Sequence, residues 1–188
     1  MTPFPLPPTP AEIRAAAGKT VPDLLALDLC VLFCGINPGL YSGAAGFHFA
    51  RPGNRIWAAL HRSGFTDRQL APHETGALLA AGLGLTNLVA RATASASELS
   101  VAELVSGSQL LTENVRRYRP RCLAMLGIGA YRTAFARPAT ALGRQPETIE
   151  ATFIWVLPNP SGLNAHYQLE HLAQLFSSLR QALADGSI

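Results

Sequence analysis

The stretch Val31-Leu32-Phe33-Cys34-Gly35-Ile36-Asn37-Pro38-Gly39 decides how the rest of the chain is interpreted. Its first half is a continuous apolar run, which is typical of a strand covered on both faces. Its second half is a turn of small residues and proline that contains one carboxamide, Asn37. In open α/β sheets, ligands bind at the carboxyl ends of the strands. We therefore expect Asn37 to lie at such a strand end and to contact a substrate.

Apolar runs and helical periodicities alternate along the chain. Strands are predicted at residues 29–35, 82–89, 121–127 and 148–157, with an edge strand near 140–142. Helices are predicted at residues 10–19, 55–63, 67–80, 100–118, 128–135 and 169–184. Strands that alternate with helices predict an α/β fold, here a three-layer αβα sandwich with a mainly parallel central sheet.

Two other segments have a distinct composition. Residues 1–25 are predicted to be a Pro-rich, loosely held arm with a short helix, and residues 26–188 a single domain. Residues 38–54 are predicted to be one loop of about 17 residues, and loops of this length are commonly functional. Phe47 and Phe49 favour a function for it, because a merely solvated loop has no need of two aromatic side chains.

Composition and charge narrow the possible partners. The chain has 188 residues, of which 48% are hydrophobic and 14% charged, which indicates a compact globular protein. Of its 15 basic residues only Lys19 is lysine, and this bias fits either an anionic partner or a GC-rich genome. The three cysteines lack the spacing of a metal site, so no metal is expected. With no leader or membrane-spanning run, the expected location is the cytoplasm.

A second loop repeats the pattern of the first. Val156-Leu-Pro-Asn159-Pro160-Ser161-Gly162 again places Asn-Pro and a glycine after an apolar run. If the two strands are sheet neighbours, Asn37 and Asn159 converge on one crevice. A carboxamide has both a donor and an acceptor, so it can orient a water or bind the edge of an amide. It is a poor general base, so its chemistry requires a good leaving group or electrostatic help.

These two loops, with Gly-Phe-His-Phe49-Ala-Arg-Pro-Gly-Asn-Arg-Ile-Trp57 between them, resemble the mismatch-specific uracil-DNA glycosylases, relatives of thymine-DNA glycosylase. The likeness extends over about residues 29–182. It implies a base-excision repair enzyme that acts on double-stranded DNA and cuts the N-glycosidic bond of uracil opposite guanine, without a metal or cofactor. Such an enzyme must extrude the nucleotide, which costs a few kcal/mol and least for a mispaired base.

The resemblance also implies roles for single residues. Asn37 would position the attacking water, and Phe49 would stack on the flipped base. Asn159 would hydrogen-bond the base, where donors near the uracil oxygens stabilise the leaving anion. The other implied contacts are the backbone groups of Ile36 and Phe49 at the polar edge of the base, Tyr41 and Ser42 near its 5-position, and a wedge of Gly162 and Leu163 that fills the vacated stack.

The chain departs from this family at two positions. Ala90 stands where relatives have an acidic residue, which could orient water or stabilise the sugar cation. After the wedge, Asn164-Ala165-His166 replaces a basic residue, and His166 is either a contact to phosphate or to the unpaired base, or a solvated histidine. Candidates for phosphate contact are Arg51, Arg55 and Arg91.

Three functions therefore follow from the sequence. The first is a monofunctional glycosylase for uracil, since lyase chemistry normally needs an amine and Lys19 lies outside the resembling region. The second is a related enzyme that acts chiefly on ethenocytosine or thymine mispairs. The third is a lesion-binding protein that flips bases without cutting, which the alanine at position 90 favours.

Overall fold

Five strands form one twisted sheet in the structure, a computed structural model that describes residues 6–162, 164 and 166–186. The strands are β1 (Val31–Gly35), β2 (Leu83–Asn87), β3 (Cys122–Leu126), β4 (Gly143–Ile149) and β5 (Thr152–Leu157). Their order across the sheet is β2-β1-β3-β5-β4. All neighbouring strands are parallel except β4, which is antiparallel to β5. The predicted α/β class with a mainly parallel sheet is confirmed.

Helices cover both faces of the sheet. Successive residues of β1 enter different cores: Val31 and Phe33 pack on one face, and Leu32 and Cys34 on the other. The helices are α1 (Pro10–Arg14), α2 (Leu40–Ala45), α3 (Ile56–Arg62), α4 (Thr75–Ala80), α5 (Val101–Tyr118), α6 (Ile128–Ala134) and α7 (Leu169–Ala184). The first core contains side chains of α3, α4 and α7, and the second contains side chains of α5 and α6. None of the described helices is long and apolar enough to cross a membrane.

For helix α5 the sequence predicts a capping box of Ser100 and Glu103, and an inner face made of Leu104, Leu110, Leu111 and Val115. The helix begins at this capping box. The Ser100 side chain accepts a hydrogen bond from the Glu103 amide, and the Glu103 carboxylate accepts one from the Ser100 amide in return. Leu111 and Val115 are buried as predicted, but Leu110 is 62% exposed. The prediction for Leu110 was wrong because one residue turns a helix by about 100°, which takes it off the face that Leu111 covers.

Three predicted boundaries were wrong for local reasons. The single strand at 148–157 is a hairpin of β4 and β5, which turns at Glu150 with a φ of 52° and without the glycine that would signal it. The helix predicted from residue 67 starts only at Thr75, since Pro72 lacks the N–H that a helix needs. The predicted loop 38–54 contains α2, which ends at Gly46 in the left-handed conformation.

Residues 18–24 are hydrogen-bonded to the rest of the domain. Gly18 donates to the Ala92 carbonyl (2.9 Å), and Ala92 donates to the Lys19 carbonyl (2.7 Å). Leu24 exchanges backbone hydrogen bonds with Leu85 of β2. Helix α1 accordingly ends at Arg14 instead of residue 19. The end of the predicted N-terminal arm thus contacts β2 and the segment that follows β2.

Candidate active site

A cleft of about 280 Å³ opens at the carboxyl ends of β1, β2 and β5. Both Asn-Pro loops line it, as expected, and so do Asn37 and Asn159. The two loops do not follow neighbouring strands, because β3 lies between β1 and β5. Both loops nevertheless line the same cleft.

Asn37 is held by a chain of hydrogen bonds with a fixed direction. Its Nδ2 donates to the Arg91 carbonyl oxygen (3.1 Å) and to the Thr93 hydroxyl (2.7 Å), which in turn donates to the Ser95 carbonyl oxygen. Because a carbonyl oxygen only accepts, the Asn37 nitrogen must face Arg91. The Oδ1 is then the group that Asn37 can offer to a water in the cleft.

Asn87, at the end of β2, is a cleft residue that the sequence analysis missed. Its Nδ2 lies 3.1 Å from Nδ1 of His48, which is itself buried. Its Oδ1 lies over Gly35, where an added Cβ would be only 2.4 Å from that oxygen. Glycine at position 35 therefore leaves the space that this carboxamide occupies.

Asn159 leaves a hydrogen-bond donor for a ligand, whereas Asn37 leaves an acceptor. Its Oδ1 accepts the backbone N–H of Ser161 (3.0 Å), so its Nδ2 is the group that remains for a ligand. The backbone carbonyl of Asn159 accepts from Asn164 Nδ2 (3.0 Å), which folds the loop back on itself. The cleft thus presents oxygens from Asn37 and Asn87 and a nitrogen from Asn159.

Phe49 forms a wall of the cleft in a strained conformation. Its φ is 50°, which is uncommon for a residue with a large side chain, and its ring lies 3.0 Å from the Cβ position of Gly35. The indole N–H of Trp57 donates to the backbone carbonyl oxygen of Phe49 (3.2 Å) and holds the backbone of Phe49 in place. Outliers of this kind cluster at ligand-binding sites.

The other residues implied to contact the base are partly in place. Ser42 lines the cleft, and its hydroxyl accepts the Ala50 N–H (3.1 Å), whereas Tyr41 is half-buried and does not line it. The carbonyl of Ile36 accepts the Val89 N–H, so its N–H is the backbone group left to bind a base.

Position 90 does not belong to this cleft. Ala90 is exposed and borders a separate shallow groove beside α5, with Leu88, Gly107 and Leu110. β2 ends at Asn87, and the next two backbone amides, those of Leu88 and Val89, donate to the carbonyls of Gly35 at the end of β1 and of Ile36 just after it. Ala90 therefore does not line the cleft, and Asn87 is the side chain of this segment that does.

The three arginines have different environments. Arg51 is exposed at the rim of the cleft, and the described residues give its side chain no ion pair. Arg91 forms a two-fold contact with Glu103 and lowers the pKa of that carboxyl to about 2. Arg55 donates to the carbonyls of Ser161, Asn164 and Tyr167. Arg91 and Arg55 are thus occupied within the protein, which leaves Arg51 as the candidate for phosphate contact.

The loop that would carry the wedge lies next to Arg51. Gly162 is exposed and so close to Gly53 that an added Cβ would be 2.6 Å from the Gly53 carbonyl oxygen. His166 is exposed, and its N–H donates to the Asn164 side chain (3.2 Å). Leu163 lies outside the described residues.

The chemistry of the cleft depends on neutral groups. No Asp or Glu is among the described residues that line it. Within the same part of the chain, no three His, Cys, Asp or Glu side chains come together as a metal site would require. The arrangement can hold a water and a polar ring, but it offers no strong base.

The fold and the cleft define an α/β protein with a cleft at the carboxyl edge of its mainly parallel sheet, lined by carboxamides and an aromatic ring. The family model of the uracil DNA glycosylase superfamily matches residues 22–184. The chain therefore belongs to the uracil DNA glycosylase superfamily, and is a DNA glycosylase of the base-excision repair type.

A solved structure shares the fold. The solution NMR structure of a candidate uracil DNA glycosylase from Methanosarcina acetivorans superimposes with a TM-score of 0.57 at 17% sequence identity. The match covers 87% of this chain and 98% of that chain. At this level of identity the similarity establishes the common architecture.

Proposed function

We propose that this chain removes uracil from G·U mispairs in duplex DNA, as a member of the mismatch-specific branch of the superfamily. The base flips into the cleft and stacks on Phe49. A G·U wobble pair favours this flipping, because the extrusion of a mispaired base costs less free energy. The observation that carries the proposal is the fixed polarity of Asn37, Asn87 and Asn159 around one cleft.

This polarity matches the edge of uracil. Uracil presents two carbonyl oxygens on either side of one ring N–H. Asn87 Oδ1 can accept the N–H, and Asn159 Nδ2 can donate to an oxygen. Donation to that oxygen strengthens as the base leaves with negative charge, so it lowers the barrier to bond breaking.

Hydrolysis consumes one water. The bond between C1′ and N1 breaks with its electron pair going to the base, and the water oxygen bonds to C1′. The water loses a proton to solvent, and the base anion takes one up. Asn37 Oδ1 accepts a hydrogen bond from the water and so positions it for attack. No strong base is required, because the uracil anion is a good leaving group.

Contacts to the duplex would come from the rim. Arg51 neutralises a phosphate, and the loop of Gly162 and Leu163 fills the place of the flipped nucleotide. His166, which is exposed beside this loop, would contact the DNA backbone or the unpaired guanine. The protein needs no cofactor for these steps.

The test is single-turnover excision on a duplex with one G·U pair, followed by alkali. We expect strand breaks at the uracil only after alkali, as for a monofunctional glycosylase. Asn37→Ala should lower the rate roughly a hundredfold, since misplacing a reactant costs about that much. Asn114→Ala, which removes a carboxamide on α5 outside the cleft, is the matched control. Excision that Asn37→Ala leaves unchanged would contradict the proposal.

A second candidate function follows from the lack of a carboxylate among the described residues of the cleft. The chain could bind and flip a lesion without cutting it. Tight binding of the G·U duplex without alkali-labile breaks would support this function. The same assay with thymine and ethenocytosine opposite guanine determines the base preference, for which Ser42 is the cleft residue assigned to the 5-position.

A further inference from the structure

A row of hydrogen bonds leads from the N-terminal segment into the cleft. The Pro22 carbonyl oxygen lies 3.0 Å from Nε2 of His48, and Nδ1 of the same ring lies 3.1 Å from Nδ2 of Asn87. His48 is only 3% exposed, so solvent does not compete for either ring nitrogen.

The donor and the acceptor in both hydrogen bonds follow from the Pro22 carbonyl. A carbonyl oxygen can only accept, so Nε2 of His48 must carry the hydrogen that bonds to Pro22. A neutral imidazole has one N–H, which leaves a lone pair on Nδ1. Asn87 must then turn its NH₂ group toward His48. Burial lowers the pKa of His48 to about 4, which keeps the ring neutral at physiological pH.

The orientation of Asn87 has a consequence for the ligand. With its nitrogen held by His48, its oxygen lies 2.4 Å from the position that a Cβ of residue 35 would take, and the Phe49 ring lies 3.0 Å from that same position. A base that stacks on Phe49 therefore meets a hydrogen-bond acceptor. A carboxamide that could rotate freely would offer either a donor or an acceptor at that point.

We propose that His48 is a specificity-determining positioning residue: by fixing the carboxamide of Asn87, it selects pyrimidines that carry a ring N–H and disfavours those with a lone pair there. Uracil and thymine belong to the first class, and cytosine to the second. The inference rests on the proposed function, because it requires a base in the cleft. It adds to that function the reason why normal cytosine is rejected.

The excision rates expected for His48 variants differ if this residue has only a structural role. If His48 only supported the fold, its loss would lower the excision of every base by the same factor. If His48 orients Asn87, its loss removes the advantage of the ring N–H. The informative quantity is thus the ratio of two rates, in which general damage to the site cancels.

The experiment compares uracil with 3-deazauracil, in which a C–H replaces the ring N–H, each opposite guanine. Single-turnover rates are measured for the wild type, His48→Leu and the control His61→Ala, an exposed histidine of α3 outside the cleft. We expect the ratio of uracil to 3-deazauracil rates to fall roughly tenfold in His48→Leu, which is the effect of one hydrogen bond. It should be unchanged in His61→Ala.

Two failures can be told apart. A wild type that excises uracil with a ratio that His48→Leu leaves unchanged would overturn the inference alone. A wild type that does not excise uracil would overturn the proposed function as well. If His48→Leu does not fold, nitrogen-15 NMR of the wild-type imidazole decides: a hydrogen on Nε2 and none on Nδ1 is expected at neutral pH, and the reverse tautomer refutes the proposal.

Discussion

Nη2 of Arg55 donates to the backbone carbonyl oxygen of Asn164, 2.7 Å away, although 109 positions separate the two residues in the chain. The same guanidinium reaches the carbonyls of Ser161 and Tyr167. One side chain at the start of α3 thus holds both ends of the loop that follows β5, and with it the position of Asn159.

Replacing Arg55 should therefore affect stability and the site together. Arg55→Ala removes one donor from each of three half-buried carbonyl oxygens, and we expect a loss of about 2 kcal/mol in the free energy of unfolding, together with weaker binding of uracil-containing DNA. Arg62→Ala breaks an exposed pair with Glu170 and should lower the free energy of unfolding much less, because solvent screens an exposed pair. Urea denaturation measures both, and equal effects would contradict the assignment.

The floor of the cleft gives a second prediction. Gly35→Ala places a methyl group 2.4 Å from Asn87 Oδ1 and 3.0 Å from the Phe49 ring. We expect excision of uracil to fall at least roughly tenfold, since the lost hydrogen bond is worth that factor. Gly129→Ala, whose added Cβ meets nothing within 4 Å on α6, is the control and should leave the rate unaltered. The idea fails if Gly35→Ala keeps the full rate.

A third prediction concerns Ala90. Because position 90 is exposed and outside the cleft, Ala90→Asp should change the single-turnover rate by less than about twofold, since substitutions away from a site have small effects. A clear rise in rate would mean that this position reaches the sugar after all. Asn87→Ala, in the same segment, is the contrasting variant, and it should slow excision strongly.

A fourth prediction follows from the pKa of His48. Burial lowers this pKa from its ordinary value near 6.5 to about 4, so the unfolded chain binds a proton that the folded chain refuses. The free energy of unfolding should have its full value above pH 6.5 and fall as the pH drops toward 4, by roughly 3 kcal/mol. Denaturation curves over this range test it. In His48→Leu the fall should be smaller by that amount, and in His61→Ala it should persist.

A fifth prediction separates Arg51 from the other arginines. If Arg51 neutralises one phosphate, Arg51→Ala should lower the slope of log affinity against log salt concentration by about 0.9. The melting temperature should stay constant, since the described residues give this side chain no partner. Arg91→Ala should show the reverse, with a loss of stability from the broken contact to Glu103 and little change in slope.

Local signals predicted much of the fold and part of the site. The bounds of α7 agree with the apolar spacing of Leu169–Ala184, and the capping box places the start of α5. Asn37, Phe49 and Asn159 line the cleft because each lies next to a strand end or in a long loop, which are features visible in the sequence.

The remaining features depend on contacts between distant segments. Nothing in Thr86-Asn87-Leu88 indicates a cleft residue, since the role of Asn87 depends on the missing side chain at Gly35 and on the ring of His48. The arginines were equally ambiguous, because a guanidinium suits a phosphate, a carboxylate or a set of carbonyls. Only the folded chain decides which of these each arginine meets.

The walls of the cleft have a consequence for protein synthesis. Asn37 and Phe49 leave the ribosome early, but Asn159 and the carbonyls that Arg55 holds are added much later, at roughly 5–20 residues per second. An unfinished chain contains Phe49 but lacks Asn159, so it does not have the complete cleft in which a flipped base is proposed to bind. Under the proposed function, binding of a flipped base therefore becomes possible only when translation of the domain is nearly complete.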